Sequence, residues 1–260
     1  MLNKENFQLR KEKIQKEQVL NLAQCPKGLE FSTTWFPYTS GQVGNYYVQS
    51  ISICSNGGYY AAAIDSIVEL IKFCVGEDNF DIVSGGESRD WDFSNPVAVA
   101  LKKPHTKLYK DGKMIGADPK GKRVLHVADL NNEGSSPRDL WVPAIKKAGG
   151  SITDIVFYVD RLEDGVEEMQ KLGLKSHAVI ELNNDAWHIL LKNNYITPEI
   201  YTSLLERWQD KKAWAHKALM AYPEILSNVT DDKAFKILKA YPEISEQLVQ
   251  ALEAIKCKHE

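Results

Sequence analysis

Cysteine is scarce: the 260 residues hold four, at Cys25, Cys54, Cys74 and Cys257. No two have the spacing of a metal or redox motif. Reduced thiols are expected rather than a disulfide framework, and Cys74, inside an apolar run, reads as core. Long hydrophobic runs are missing too. No stretch approaches the ~18 apolar residues of a membrane span, and MLNKENFQLRKEKIQKEQ at the start is too charged for a secretory signal. The expectation is a cytoplasmic protein with no membrane partner. Excess charge of one sign is also absent: 32 Lys and Arg stand against 35 Asp and Glu, a net charge of −3. Aromatics make up 10% of the chain but do not interleave with a basic stripe, which argues against a nucleic-acid partner. Any phosphate site must therefore be built locally. Neither a GxSxG elbow nor a Walker loop occurs. None of the six histidines, His105, His126, His177, His188, His216 and His259, has ligand spacing to a neighbouring acid or cysteine. His126 and His177 fall in strand patterns and read as core.

What is present is ordinary globular material, 43% apolar and 26% charged, enough for one large domain or a smaller one with an appendage. Residues 4–24 read as a charged helix with a thin apolar stripe through Phe7, Ile14, Val19 and Leu22. Residues 29–55 look like strands around a Gly-containing turn at 40–44. A helix is expected over 58–75, with Ile64, Ile67, Val68 and Ile71 on one face. From there strands and helices alternate. Strands are expected at 80–84, 105–109, 123–130, 152–160 and 176–182. Helices are expected at 94–103 with Ser94 as N-cap, 137–148 and 163–172, and 110–122 reads as a loop. Such alternation specifies an α/β fold: a five- or six-stranded, mostly parallel sheet flanked by helices. After residue 183 only helical pattern remains, with a near-repeat, KALMAYPEI (217–225) and KILKAYPEI (236–244). Two copies are too few for a solenoid. Each Tyr-Pro pair is expected to end one helix and start the next. Three segments follow: an N-terminal helix and hood strands (1–55), an α/β core (56–182) and a C-terminal helical appendage (183–260).

The most informative stretch is RVLHVADLNNEGSSPRDLWVPAIKKAGG (123–150): a strand, a short polar loop and a helix. Ser136, Pro137 and Asp139 resemble a capping box, Gly149 and Gly150 end the helix, and Pro143 inside it predicts a kink. A loop opening onto a helix N-terminus presents free N–H groups and a positive dipole, which bind phosphate without basic side chains. Gly134, Ser135 and Ser136 let the backbone come close. Asp129, at the strand end, is suited to a ribose hydroxyl or a magnesium ion. A plain capped turn has the same spacing.

The segment VLHVADLNNEGSS resembles the signature of type I phosphoribosyltransferases, in which an apolar strand, two acidic residues and a Thr-Thr-Gly loop cradle a 5′-phosphate. Asp129 matches the second acid, and Gly134 and Ser136 match the loop. SGQVGNYYVQS (40–50), FDIVSGG (80–86) and VDRLEDG (159–165) resemble, in order, the N-terminal turn, the pyrophosphate loop and the base-contacting arginine segment of orotate phosphoribosyltransferases. The resemblance implies a transferase using phosphoribosyl pyrophosphate, magnesium and a small nitrogenous base, a hood over the carboxyl ends of the strands, and a homodimer. Within it, Asn131, Asn132, Glu133, Gly134, Ser135 and Ser136 would hold the 5′-phosphate, and Asp129 the ribose or the metal. Gly85, Gly86, Arg89 and Lys110 would hold pyrophosphate, and Arg161 and Tyr47 the base.

The chain departs from that pattern at four places. Ala128 replaces the first acid. Asn132 and Glu133 replace the threonines, and a carboxylate about 4 Å from a phosphate is repelled by roughly 1–4 kcal/mol unless it turns away or pairs, for instance with Arg138. Thr39 replaces a lysine. The mobile catalytic loop shrinks to LYKDGKMIG (108–116), keeping Lys110 and Lys113 but no histidine. Arg89 could compensate by gripping a diphosphate, and Trp91 or Phe93 by stacking on a base. Equally, Arg89 could pair with Glu87, Asp90 or Asp92, and Trp91 could be core. Two functions remain open: a phosphoribosyltransferase acting on a pyrimidine-like base, and a non-catalytic sensor of nucleotides or phosphoribosyl pyrophosphate.

Overall fold

The computed structural model describes residues 4–259, with side chains for 6–254, so the side chains of Cys257 and His259 lie outside the described residues. Packing divides the chain into two compact units, Met1–Gly28 with Gln49–Leu190 and Leu29–Val48 with Leu191–Glu260. This differs from a division at 55 and 182. The first helix joins the α/β unit, while the strands after it join the helical tail. The reason is local: the apolar stripe of the helix has a sheet to cover, whereas the two strands pair only with each other.

In the first unit, α1 (Lys4–Gln24) precedes α2 (Gly57–Leu70), and the first strand of the second unit is β1 (Leu29–Pro37), paired antiparallel with β2 (Val43–Val48). The main sheet comprises β3 (Ile82–Gly86), β4 (His105–Leu108), β5 (Met114–Gly116), β6 (Arg123–Asn131), β7 (Ser151–Asp160) and β8 (Lys175–Glu181), in the order β5-β4-β3-β6-β7-β8. All neighbours are parallel except β5, which runs antiparallel to β4 within what reads from sequence as loop. Helices α3 (Asp90–Ala100), α4 (Val142–Lys147) and α5 (Asp164–Lys171) make the crossovers.

The alternation of side chains along β7 shows the two-faced burial. Phe157 enters one apolar cluster with Trp141, Val142, Ile145 and Met169 from the α4 and α5 side. Tyr158, its neighbour, points the other way and stacks on Phe93 of α3 with ring centroids 5.0 Å apart. Both are fully buried, and each such aromatic contributes roughly 1.5–3 kcal/mol by leaving water.

Two local expectations change. Helix α3 begins at Asp90, one turn before Ser94, so Ser94 lies inside it and hydrogen-bonds His105 Nε2 at 2.9 Å instead of capping. Ser136 has helical φ/ψ and makes no capping bond, because the helix already starts at Ser135. The residue before that start is Gly134, at φ +69°. Pro143 lies in the first turn of α4. A π turn over Pro137–Trp141 precedes it, with the Val142 amide bonded to the Pro137 carbonyl.

The second unit packs the β1–β2 hairpin with α7 (Pro198–Gln209), α8 (Lys211–Ala221), α9 (Asp231–Ala240) and α10 (Ser245–His259), which follow α6 (Asn184–Lys192). The Trp35 indole donates to the Tyr222 carbonyl at 3.2 Å, and the Tyr241 hydroxyl accepts from the Val43 amide at 3.1 Å. Tyr222 and Tyr241 each cap a helix in nearly the same conformation, φ/ψ −135/56 and −127/63. The repeated Tyr-Pro is thus a repeated helix stop. No helix among the described residues is long and apolar enough to cross a membrane.

Candidate functional site

In an open α/β sheet, ligands bind beyond the carboxyl ends of the strands, where the crossover direction reverses. Here β3 leads outward to β4 and β6 leads the other way to β7, so the reversal lies between β3 and β6. Pairing between these strands runs from Ile82↔Val124 to Ser84↔His126 and stops. Beyond it the chains separate into residues 87–89 and 132–136.

The loop after β6 joins the strand to a helix, as expected from sequence. Asn132 and Glu133 are half-buried, Gly134 is buried, and Ser135 and Ser136 are exposed. The amides of residues 133–136 have no acceptor among the described residues, so they are free for an anion. Gly134 is required twice over: its φ is positive, and a Cβ there would lie 2.8 Å from the Glu168 Cβ. The following segment props the loop from behind. Arg161 and Gly165 donate their amides to the carbonyls of Asn131 and Asn132 at 3.1 and 2.8 Å. Asn131 donates through Nδ2 to Asp160 at 3.0 Å, while its buried Oδ1 has no partner. Arg138 makes a two-pronged contact with Asp139, both bonds 2.7 Å, and lies 3.9 Å from Glu168 rather than joining Glu133 directly.

The loop after β3 is built differently. Gly85 and Gly86 are buried, and the sequence pattern alone suggests that they face pyrophosphate. Instead their missing side chains make room for the protein itself: a Cβ on Gly85 would lie 2.1 Å from Ser94 Oγ, and one on Gly86 2.3 Å from Trp141 Nε1. The exposed part is Glu87, Ser88 and Arg89. Trp91 donates to the Gly85 carbonyl at 2.9 Å, meets the Tyr109 ring edge-on at 5.0 Å, and carries Lys107 Nζ 4.8 Å above its own ring. Phe93 is core. The short hairpin at 108–113 is tied to this loop. The Glu87 amide donates to the Leu108 carbonyl at 2.8 Å, and the Glu87 carboxylate accepts the Lys110 amide at 2.9 Å. Tyr109 and Lys113 close the turn at 2.9 Å. A long mobile loop is replaced by a fastened β-turn.

Between the two loops sit Asp129, 9% exposed, and Asp90, 4% exposed. Ser50 Oγ donates to Asp129 Oδ2 at 2.6 Å. Burial raises the Asp129 carboxyl to about 7, helped by the neighbouring Asp90 charge, and raises Asp90 to about 6. The Asp90 charge nearby adds to burial in favouring the protonated form of Asp129. His126 is fully buried, stacked on Trp141 at 4.1 Å, and held neutral by desolvation, with its pKa lowered to about 3. Ala128 points into the apolar cluster containing Trp141 and Ile145. An acid at that position would face the core, which explains its absence. Sequence reasoning missed Asp90, whose only signal was an acid at the start of a helix.

Arg161, 5% exposed, is held by Glu163 at 2.9 Å. Tyr47 is an exposed position on β2, in the second unit. Among the described residues no three His, Cys, Asp or Glu side chains are grouped to hold a metal.

No protein-family model matches the chain. It is 27% identical over 167 residues to the orotate phosphoribosyltransferase of Sulfolobus acidocaldarius, covering 62% of this chain and 82% of that protein. The chain has the type I phosphoribosyltransferase fold and is a divergent relative of the orotate phosphoribosyltransferases. Among solved structures, the Leishmania donovani UMP synthase superposes with a TM-score of 0.64 at 18% identity, over 74% of this chain and 41% of that one. The Mycobacterium tuberculosis orotate phosphoribosyltransferase in complex with 5-phospho-α-D-ribosyl 1-diphosphate gives 0.51 at 22%, over 66% and 98%. These matches establish the fold.

Proposed function

We propose that the chain is a glycosyltransferase that moves ribose 5-phosphate from phosphoribosyl pyrophosphate to a pyrimidine-like nitrogenous base. The observation that carries this is the unpartnered amide cradle at 133–136, in the loop that follows Asp129, at the crossover reversal of the sheet. The kinship with orotate phosphoribosyltransferases and the diphosphate bound by the Mycobacterium tuberculosis protein support it.

In this reading Asn131, Asn132, Glu133, Gly134, Ser135 and Ser136 seat the 5′-phosphate on backbone amides. Glu133 turns its carboxylate outward. Asp129 holds the ribose hydroxyls and lends an oxygen to magnesium. The ion would neutralise leaving-group charge when bound with the diphosphate. Arg89 and Lys110 flank the pyrophosphate beside the loop built on Gly85 and Gly86, and Arg161 and Tyr47 orient the base. Bond breaking at the anomeric carbon leaves an oxocarbenium-like centre, so catalysis rests on positioning and fixed charge rather than on a nucleophilic side chain. A cytoplasmic homodimer belongs to the same reading.

Incubation with phosphoribosyl pyrophosphate, magnesium and a panel of bases, with pyrophosphate release measured, tests it. Turnover with one base, abolished in Arg161→Ala, is the expected result. Saturable binding without turnover would instead establish a sensor. Two observations favour that second possibility: Glu163 already holds Arg161, and the hairpin at 108–113 is fastened where a closing loop is expected.

A further inference from the structure

We infer that Asp90 is a positioning residue that presets Asp129 for the sugar; this rests on the phosphoribosyl reading above. Strand pairing between β3 and β6 ends at Ser84↔His126, leaving the amides of Gly86 and Asp129 facing the widening gap. One carboxylate serves both. Asp90 Oδ2 accepts from the Gly86 amide at 2.9 Å, and Oδ1 accepts from the Asp129 amide at 3.0 Å. Asp129 is thereby held at its main chain by α3 and at its carboxyl by Ser50.

A second observation points to the same centre. His126 Nε2 is fully buried, has no hydrogen-bond partner, and lies 3.5 Å from Asp90 Oδ2. Its other ring nitrogen is fixed by Ser84 at 2.9 Å, and the ring is fixed by Trp141. The imidazole lies behind Asp90 without a hydrogen bond to it. With Ala128 turned into the core, the second carboxylate of the sugar site comes from the neighbouring crossover rather than from the strand itself. It joins the loop after β3 to the end of β6 before any ligand arrives, which is the preorganisation that positional catalysis needs.

A residue acting through Asp129 leaves a signature that a purely structural one does not. Asp90→Asn keeps the size but offers one acceptor oxygen, so either Gly86 or Asp129 loses its partner. Binding of phosphoribosyl pyrophosphate with magnesium is measured by calorimetry on the full chain for wild type, Asp90→Asn, Asp129→Asn and the double variant, with the fold checked by circular dichroism. Each single change is expected to weaken binding about tenfold or more, and the double variant to bind within about twofold of Asp129→Asn alone. Single effects that multiply in the double variant, or an Asp90→Asn affinity within about twofold of wild type, overturn the inference. If Asp90→Asn does not fold, Asp90→Glu takes its place in the same cycle, retaining the charge while moving the carboxyl by one methylene. Wild-type protein that binds no phosphoribosyl pyrophosphate sinks the proposed function itself. Binding that survives in Asp90→Asn sinks only the role given to Asp90.

Discussion

Two loops leave the same sheet at adjacent strand ends and are constructed on opposite principles. The loop after β6 is bare main chain, with free amides, a glycine at φ +69° and two exposed serines. The loop after β3 is held by side chains: Asp90 on the Gly86 amide, Trp91 on the Gly85 carbonyl and Glu87 on the Lys110 amide. The first exposes main-chain donors without acceptors among the described residues, and the second is closed by its own side chains. Glycine means something different in each. Gly134 serves the backbone conformation and close packing, whereas Gly85 and Gly86 admit Ser94 and Trp141.

The strongest way to break the contrast is Gly134→Val. A branched side chain at positive φ costs about 1–3 kcal/mol, and its Cβ would meet Glu168 and Met169 within 3.0 Å. Ligand affinity should fall about a hundredfold by calorimetry, because a displacement of ~1 Å in a positioning element has effects of that size. A folded variant with unchanged affinity would remove the cradle from the binding site.

Disturbing the wall should cost less. Trp91→Ala removes the indole bond to Gly85, the edge contact with Tyr109 and the platform under Lys107. Loss of a half-buried aromatic is expected to destabilise by about 2–3 kcal/mol, seen as a lower Tm. Turnover should drop about tenfold, since Arg89 and Lys110 lose their support. A larger loss of turnover than in Gly134→Val would reverse the ranking of the two loops.

The smallest effect concerns pH. Asp129 and Asp90 are raised by burial to about 7 and about 6. The native state therefore keeps protons that an unfolded chain releases near pH 4, and this contribution to stability fades as pH rises through 7. His126 and His105 act in the opposite sense. Burial lowers them to about 3 and about 4, so the native state loses stability as pH falls below the ordinary histidine value. Magnesium-dependent binding would need Asp129 ionised, so affinity should rise between pH 6 and 8 by at most about tenfold per unit. Asp129→Asn should flatten this slope, and a steep slope in that variant would move the titration to another group.

Much of the sheet was legible because both faces of the parallel strands are apolar: FDIVS, RVLHVADL and ITDIVFYVD announce buried β structure, and the polar 131–136 stretch announces the loop between strand and helix. The strand–loop–helix junction at 131–136 was legible for the same local reason. What could not be read were contacts made across sequence. Asp90 looked like a surface partner for Arg89, yet it is buried beneath two amides 4 and 39 residues away. Ser94 looked like a cap, but a turn of helix already precedes it. Arg161 looked available, and its charge is answered two residues later by Glu163.

Hydrophobic periodicity and the strand–loop–helix around Asp129 were properties of the chain alone, since each depends on neighbours within a few residues. The grouping of the β1–β2 hairpin with the helical tail, the inward turn of Ala128 and the carboxyl pair were decided by tertiary structure. Side chains distant in sequence share burial only after strands pair and helices cross over, and burial is what raises the carboxyls of Asp90 and Asp129 above the ordinary range.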